Sequence, residues 1–148
     1  MSVRWSLWIL VEGLLSGCSD REQASMADGR LTAAPAGIEF QRVAVFDQHE
    51  MLVTLRNVGR SRIEVDDIWV EGANGGTYAA SFTHEGPHRL LPGSECQLKV
   101  LFSPSEPVDL TATLVIHSNA QREPLLSVPL RGTGVEAWAS MSSWSTLP

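Results

Sequence analysis

Residues 84–88 read His-Glu-Gly-Pro-His. This H-E-x-x-H spacing lets two histidines one helical turn apart hold zinc, with the glutamate between them as general base. That chemistry needs a helix. Gly86 and Pro87 stand between the histidines. A glycine costs about 1 kcal/mol and a proline about 3 kcal/mol in a helix interior, and the proline ring clashes with the preceding turn. No third ligand follows at metalloprotease spacing. The segment is therefore expected to be an exposed loop between strands, with ordinary histidines at His84 and His88 and no bound metal. Other catalytic signatures are missing too: there is no G-x-S-x-G, no glycine-rich phosphate loop and no cysteine pair for redox work. His117 lacks a nucleophile or acid at meaningful spacing and reads as strand-end polarity. Cys96 lies on the apolar side of its run and reads as a small core hydrophobe. The sequence thus predicts a chain that is not an enzyme and takes no cofactor.

Cys18 is the one residue with a chemical assignment. Ahead of it, Arg4 is followed by an apolar stretch from Trp5 to Leu15, then by small residues. That is the layout of a secretory signal. The stretch has about 11 residues against the roughly 20 a membrane span needs, so it cannot remain as an anchor by itself. Glu12 inside it weakens the pattern. The exit, Leu15-Ser16-Gly17-Cys18, resembles the lipobox of bacterial lipoproteins position for position. In that family the chain is cut just before the cysteine and the thiol carries lipid. Small side chains admit a peptidase to the backbone, and the thiol supplies the nucleophile. The resemblance implies a signal peptide over residues 1–17 and lipid on Cys18. Each buried CH₂ contributes roughly 0.8 kcal/mol, so the two or three chains implied would hold the protein to a bilayer stably. Ser19, in place of aspartate, resembles enterobacterial sorting to the outer membrane. With Cys18 lipidated, Cys96 has no disulfide partner within the chain.

Composition sets outer bounds. The 148 residues suit one ordinary domain. The net charge is -6, and the eleven basic residues are ten arginines and Lys99. An acidic chain without a basic run has no electrostatic footprint for nucleic acid. The nearest thing to a basic patch, Arg56, Arg60 and Arg62, reads as a solvated turn.

Residues 18–37 are polar and small, without periodicity, and read as a flexible tether. Its roughly 19 residues after the cysteine would span about 25 Å as a random coil. From Ile38 to Gly134 the texture becomes short alternating runs: IEFQRVAVF, MLVTLRN, RIEVDDIWV, TYAASF, CQLKVLF, LTATLVI and LLSVPLRG. In the third, Ile63 and Val65 alternate, then the phase skips before Ile68 and Val70, which predicts a bulge at Asp66-Asp67. Turn residues separate the runs. Seven period-two segments with such punctuation predict an all-β, seven-stranded sandwich. Asn57 can bond its own turn backbone and Gly59 can take positive φ. Pro92-Gly93 suits the centre of a type II turn. Gly132 and Gly134 bracket the end of the last strand. Pro129 cannot donate to a ladder, so its run should be an edge, or should aim the missing N–H outward.

VTLRNVG at 53–59, LLPGSECQLKVLFSP at 90–104, TATLVIHSNA at 111–120 and VPLRGTGV at 128–135 together resemble the ASH-type immunoglobulin-like domain of the abnormal spindle and hydin family. In bacteria the same type is met as the "choice-of-anchor D" domain. Ser105-Glu106-Pro107-Val108 departs from the family, which has a glycine before the next strand. The resemblance covers residues 38–135 and implies an immunoglobulin-like sandwich that binds or scaffolds rather than catalyses.

Three tryptophans are candidate interaction anchors: Trp69, Trp138 and Trp144. Trp69 faces away from Ile68 and Val70, beside Asp66 and Asp67. It could equally cover the sheet edge, or turn inward if the bulge shifts the phase. Trp138 and Trp144 lie in a Ser/Ala-rich tail, residues 136–148, expected to be disordered or docked on a partner. The sequence as a whole predicts a bacterial envelope lipoprotein. It would be anchored to the outer membrane by Cys18, face the periplasm or the cell surface, and bind a protein partner as a scaffold. The alternative is a chaperone-like or assembly subunit of a secreted complex.

Overall fold

The computed structural model describes residues 28–137. Within them the chain is all-β. Nine strands form: β1 Leu31–Ala34, β2 Ile38–Ala44, β3 His49–Asn57, β4 Ile63–Glu71, β5 Tyr78–Phe82, β6 His88–Leu90, β7 Glu95–Phe102, β8 Asp109–Ser118 and β9 Leu125–Val135. One sheet has the order β1-β3-β7-β5 and the other β2-β9-β8-β4-β6. All pairings are antiparallel except β2 with β9, which run parallel.

Period-two patterning explains the stacking of the two sheets. Val53, Leu55, Leu98, Val100 and Phe102 bury from the first sheet, and Ile63, Leu114, Ile116, Val128 and Leu130 from the second. The bulge predicted in β4 is present, as the register with β8 shifts between Val65 and Asp67. It lets Val65 and Ile68 face the core although they are an odd three positions apart. A second bulge, between Glu39 and Arg42 of β2, holds Gln41 at φ 57.

Nine strands replace the predicted seven. The seven alternating runs all become strands. The two additions, β1 and β6, have four and three residues, too few to show a period. β1 lies inside the segment expected to be tether, so the sandwich begins at Leu31 rather than Ile38. Its Leu31 faces the core, and its backbone pairs from Leu31↔Asn57 to Ala34↔Thr54. The chain then crosses to the other sheet through Pro35 and Gly37. Phe46, expected to continue β2, instead sits beyond it in a turn at φ 67.

The punctuation residues Pro129, Gly59, Gly132 and Gly134 refine the expectations. β9 is an interior strand, not an edge. Pro129 is tolerated because pairing with β2 starts one residue later, at Ile38↔Leu130. Gly59 does not have positive φ. It is needed because a Cβ there would strike the Asp28 carbonyl oxygen. Gly132 and Gly134 lie within β9 rather than bracketing its end. The space above Gly132 is filled by the Phe102 ring, which a Cβ would meet at 2.6 Å. Gly93, by contrast, has the φ of 82 that a type II turn requires, and the Ser94 N–H donates to the Leu91 carbonyl at 2.9 Å.

Phe102 belongs to an aromatic cluster. Its ring centroid lies 4.8 Å from Tyr78 and 5.3 Å from Phe40. The Tyr78 hydroxyl donates to the Leu110 carbonyl at 2.7 Å, which ties the two sheets together. Burial pushes its phenol up to about 12.

Two outcomes follow from this cluster. Gly132→Ala is expected to destabilise the fold by about 1–3 kcal/mol, the range for overpacking a filled core. Urea unfolding measures it, and an unchanged midpoint would contradict the packing. Tyr78 is the only tyrosine in the chain, so tyrosinate absorbance reads it directly. Its folded-state pKa is raised above the unfolded value near 10. The associated stability is therefore full below pH 10 and is lost as pH rises toward about 12. A titration in native buffer should lag one in urea; coincident curves would refute the buried hydroxyl.

Candidate protein-interaction site

The H-E-x-x-H segment does not form a helix. Gly86 takes φ 115, and His88 opens β6, pairing with Val65, rather than lying in the loop. The His88 ring stacks on Phe82, centroids 3.2 Å apart and planes 13° apart. Desolvation by burial, then the charge of His84, lowers its pKa below the usual histidine value. His84 Nδ1 instead meets the Thr83 hydroxyl at 2.9 Å. These histidines and Cys96 help line an open groove of about 530 Å³ between β6 and the start of β7. Among the described residues, no group of three or more potential ligands is placed to hold a metal. Cys96 is half-buried and packs against the core, and its burial pushes the thiol up, away from the reactive thiolate.

Trp69 is the site residue that the structure places clearly. The β4 bulge restores the phase so that Ile68 and Val70 pack against the core and Trp69 faces outward. Val115 lies directly across the ladder, on the outward side of the central strand β8, yet is only 3% exposed. The Trp69 indole stands directly opposite it in the register. The residue nonetheless remains 37% exposed. Its Nε1–H donates to Glu71 Oε2 at 3.3 Å. On the bulge side, Asp67 Oδ1 accepts the Ile68 amide at 2.8 Å, and Asp66 Oδ2 lies 3.4 Å from His117 Nδ1. His117 therefore has an acidic neighbour that its isolated place in the sequence did not reveal. The result is a partly exposed indole with carboxylates beside it, carried on the paired strands β4 and β8. This chemistry suits an anchor for a protein partner.

Cys18, its lipobox residues Leu15, Ser16 and Gly17, and the tail tryptophans Trp138 and Trp144 lie outside the described residues. One exposed group was not singled out in the sequence. Phe46 is 86% exposed in a left-handed turn, fixed by its amide to the Pro104 carbonyl at 2.9 Å. Bulky residues rarely adopt that backbone. Nothing in the run IEFQRVAVF marks where the strand stops.

The fold has well-matched counterparts. A protein of unknown function from Porphyromonas gingivalis W83 aligns with a TM-score of 0.61 at 14% identity. The alignment covers 72% of this chain and 48% of that one, so this chain spans about half of the longer protein. PapD-like domain 7 of human CEP192, an ASH / PapD-like domain, aligns at 0.54 and 16% identity, over 72% of this chain and 86% of that one. The periplasmic chaperone SfaE aligns at 0.54 and 9% identity, over 71% and 58%. At these identities the likeness is one of fold. No curated protein matches the chain in sequence. Residues 29–124, well over half of the chain, match the ASH family, described as "Abnormal spindle-like microcephaly-assoc'd, ASPM-SPD-2-Hydin". The match takes in β1, which the alternation alone did not reveal, and the chain belongs to that family.

Proposed function

We propose that this chain is a bacterial envelope lipoprotein whose ASH domain acts as a non-enzymatic protein-binding or scaffold module. Cleavage before Cys18 and lipidation of its thiol would fasten the domain to a membrane. Ser19 favours the outer membrane, with the domain facing the periplasm or the cell surface. The observation that carries the binding role is Trp69: an indole, partly exposed on the outward face of the five-stranded sheet, with Asp66, Asp67 and Glu71 beside it. A rigid sheet presents such a side chain with little entropy left to lose on binding. Family membership supports the same reading, as does a fold shared with the CEP192 domain.

A second reading, a chaperone-like or assembly subunit that accepts a strand, has one observation in its favour. β7 outruns β5: their pairing stops at Phe82↔Leu98, with one further bond from the Thr83 amide to the Gln97 carbonyl at 3.1 Å. Glu95 and Cys96 pair with β3 on one side only, and their other edge borders the open groove. Free edges accept strands.

Two measurements test the proposal. The intact mass of the chain from native membranes should correspond to a start at Cys18 plus two or three acyl chains. A start at Met1, or at any residue beyond Cys18, would refute the anchor. For binding, a photo-crosslinker at the outward position of Thr113 should capture a protein partner in cells. Trp69→Ala should then weaken that partner about tenfold or more, the scale of an interface hot spot. Equal affinity would remove Trp69 from the interface. Loss of binding only on altering Cys96 or β5 would favour strand acceptance.

A further inference from the structure

We infer that the end of the sandwich nearest the N-terminal segment docks on an anionic phospholipid surface. The inference rests on the lipid-anchor reading for its orientation and on the following geometry for its chemistry.

Asp28, the first described residue, is stitched into that end. Its carbonyl accepts the Arg60 amide at 2.9 Å, and the Arg30 carbonyl accepts the Val58 amide at 2.9 Å. Arg122, from the turn between β8 and β9, places its Nε 3.2 Å from Asp28 Oδ1, an ion pair without hydrogen-bond geometry. The fold thus adds Arg30 and Arg122 to the sequence cluster of Arg56, Arg60 and Arg62. All five are exposed. Among the described residues, Arg30, Arg60 and Arg62 have no carboxylate within ion-pair distance. Four carboxylates share this end: Asp28 pairs with Arg122 and Glu64 with Arg89, while Glu95 stands across the ladder from Arg56 and Glu123 follows Arg122, so the six arginines, Arg89 included, exceed them by two.

This excess of free arginine occurs in a chain whose net charge is -6. The opposite end, by the turn after β2 and the close of β9, carries Asp47, Glu106, Asp109 and Glu136 against one arginine, Arg42. The molecule is therefore polarised along the strands. The basic end also shows apolar side chains that the core does not use. Val58 is 49% exposed and Leu91 is 61% exposed, on turns joined by the bond from the Gly93 amide to the Asn57 carbonyl at 2.8 Å. Arginines around exposed aliphatic tips match the interfacial zone of a bilayer. Cations meet phosphates there, and short apolar groups reach the acyl boundary.

Reach is consistent. Ten residues lead from Cys18 to Asp28, a reach of at most about 33–36 Å. A lipid on Cys18 would keep this end close to the headgroups, where the attraction acts over a Debye length of about 8–10 Å. Phe46 stands at the other end and Trp69 midway along the outer face of its sheet, both free to meet a partner.

The test uses the mature chain of the anchor reading, residues 18–148, carrying Cys18→Ser, so that docking is read without the signal segment or the lipid. It is mixed with vesicles of phosphatidylcholine alone, or with a third of the lipid replaced by phosphatidylglycerol. Association should be about tenfold tighter with the anionic vesicles and should fall to the neutral level in half-molar salt, where charge attraction is screened. Arg60→Glu with Arg62→Glu should abolish the preference, while Arg131→Glu on the outer sheet face should leave it. Equal binding to the two vesicles, or a preference unmoved by the double substitution or by salt, would overturn the docking surface. A separate arm keeps the anchor distinguishable: native chain reconstituted in pure phosphatidylcholine should stay bound. Its release there would sink the anchor and leave the charge measurement standing.

Discussion

Asn57 is the constraint on which much of the structure depends. It is a polar side chain with no exposed surface at all, so every polar atom it carries must find a partner. Its amide nitrogen donates to the Ser61 carbonyl at 2.7 Å and to the Leu90 carbonyl at 2.9 Å, and its side-chain oxygen accepts the Gly59 amide at 3.0 Å. Its main chain bonds the turn before β7: its amide donates to Ser94 at 3.0 Å, and its carbonyl accepts from Gly93 at 2.8 Å. Asn57 ends β3 in one sheet, Leu90 ends β6 in the other, and Ser61 leads into β4. One residue therefore laces the two sheets together at one end of the sandwich and fixes two turns against each other.

Those turns carry the side chains at the basic end. Val58 and Arg60 follow Asn57 directly, and Leu91 follows Leu90. A surface assembled from loops of distant sequence is useful only if the loops hold their places, because ordering them on contact would cost conformational entropy. Here a buried side chain does that ordering during folding. The far half of the molecule is fixed differently, by the aromatic cluster of Phe40, Tyr78 and Phe102 and by the ladder from β4 through β8 to β9. Trp69 stands on that ladder. The basic end and the outward face that carries Trp69 are thus supported by separate parts of one core.

What could be read in the sequence follows from the range of each interaction. Alternation is local, so all seven runs, the bulge at Asp66-Asp67 and the turn at Pro92-Gly93 were visible. β1 and β6 were not, because strands of four and three residues are created by their partners rather than by their own pattern. Gly59 and Gly132 were recognised as special for a different reason from the operative one. Local reasoning offers conformational freedom, whereas each is required by a group far away in sequence, the Asp28 carbonyl or the Phe102 ring. Trp69 was legible as outward-facing, but its place opposite Val115 needed the register. The basic end was legible only in part: Arg56, Arg60 and Arg62 are neighbours in the chain, while Arg30 and Arg122 arrive by folding.

The most direct measurement is amide hydrogen exchange of the full chain, native and Asn57→Ala, at Gly59 and Gly93. Gly59 donates to the Asn57 side chain and should lose its protection in the variant. Gly93 donates to the main-chain carbonyl, which the substitution leaves in place. Its protection should fall as well if the side chain is what holds the two turns together. A Gly93 amide as slow in the variant as in the native chain would contradict the lacing role of Asn57.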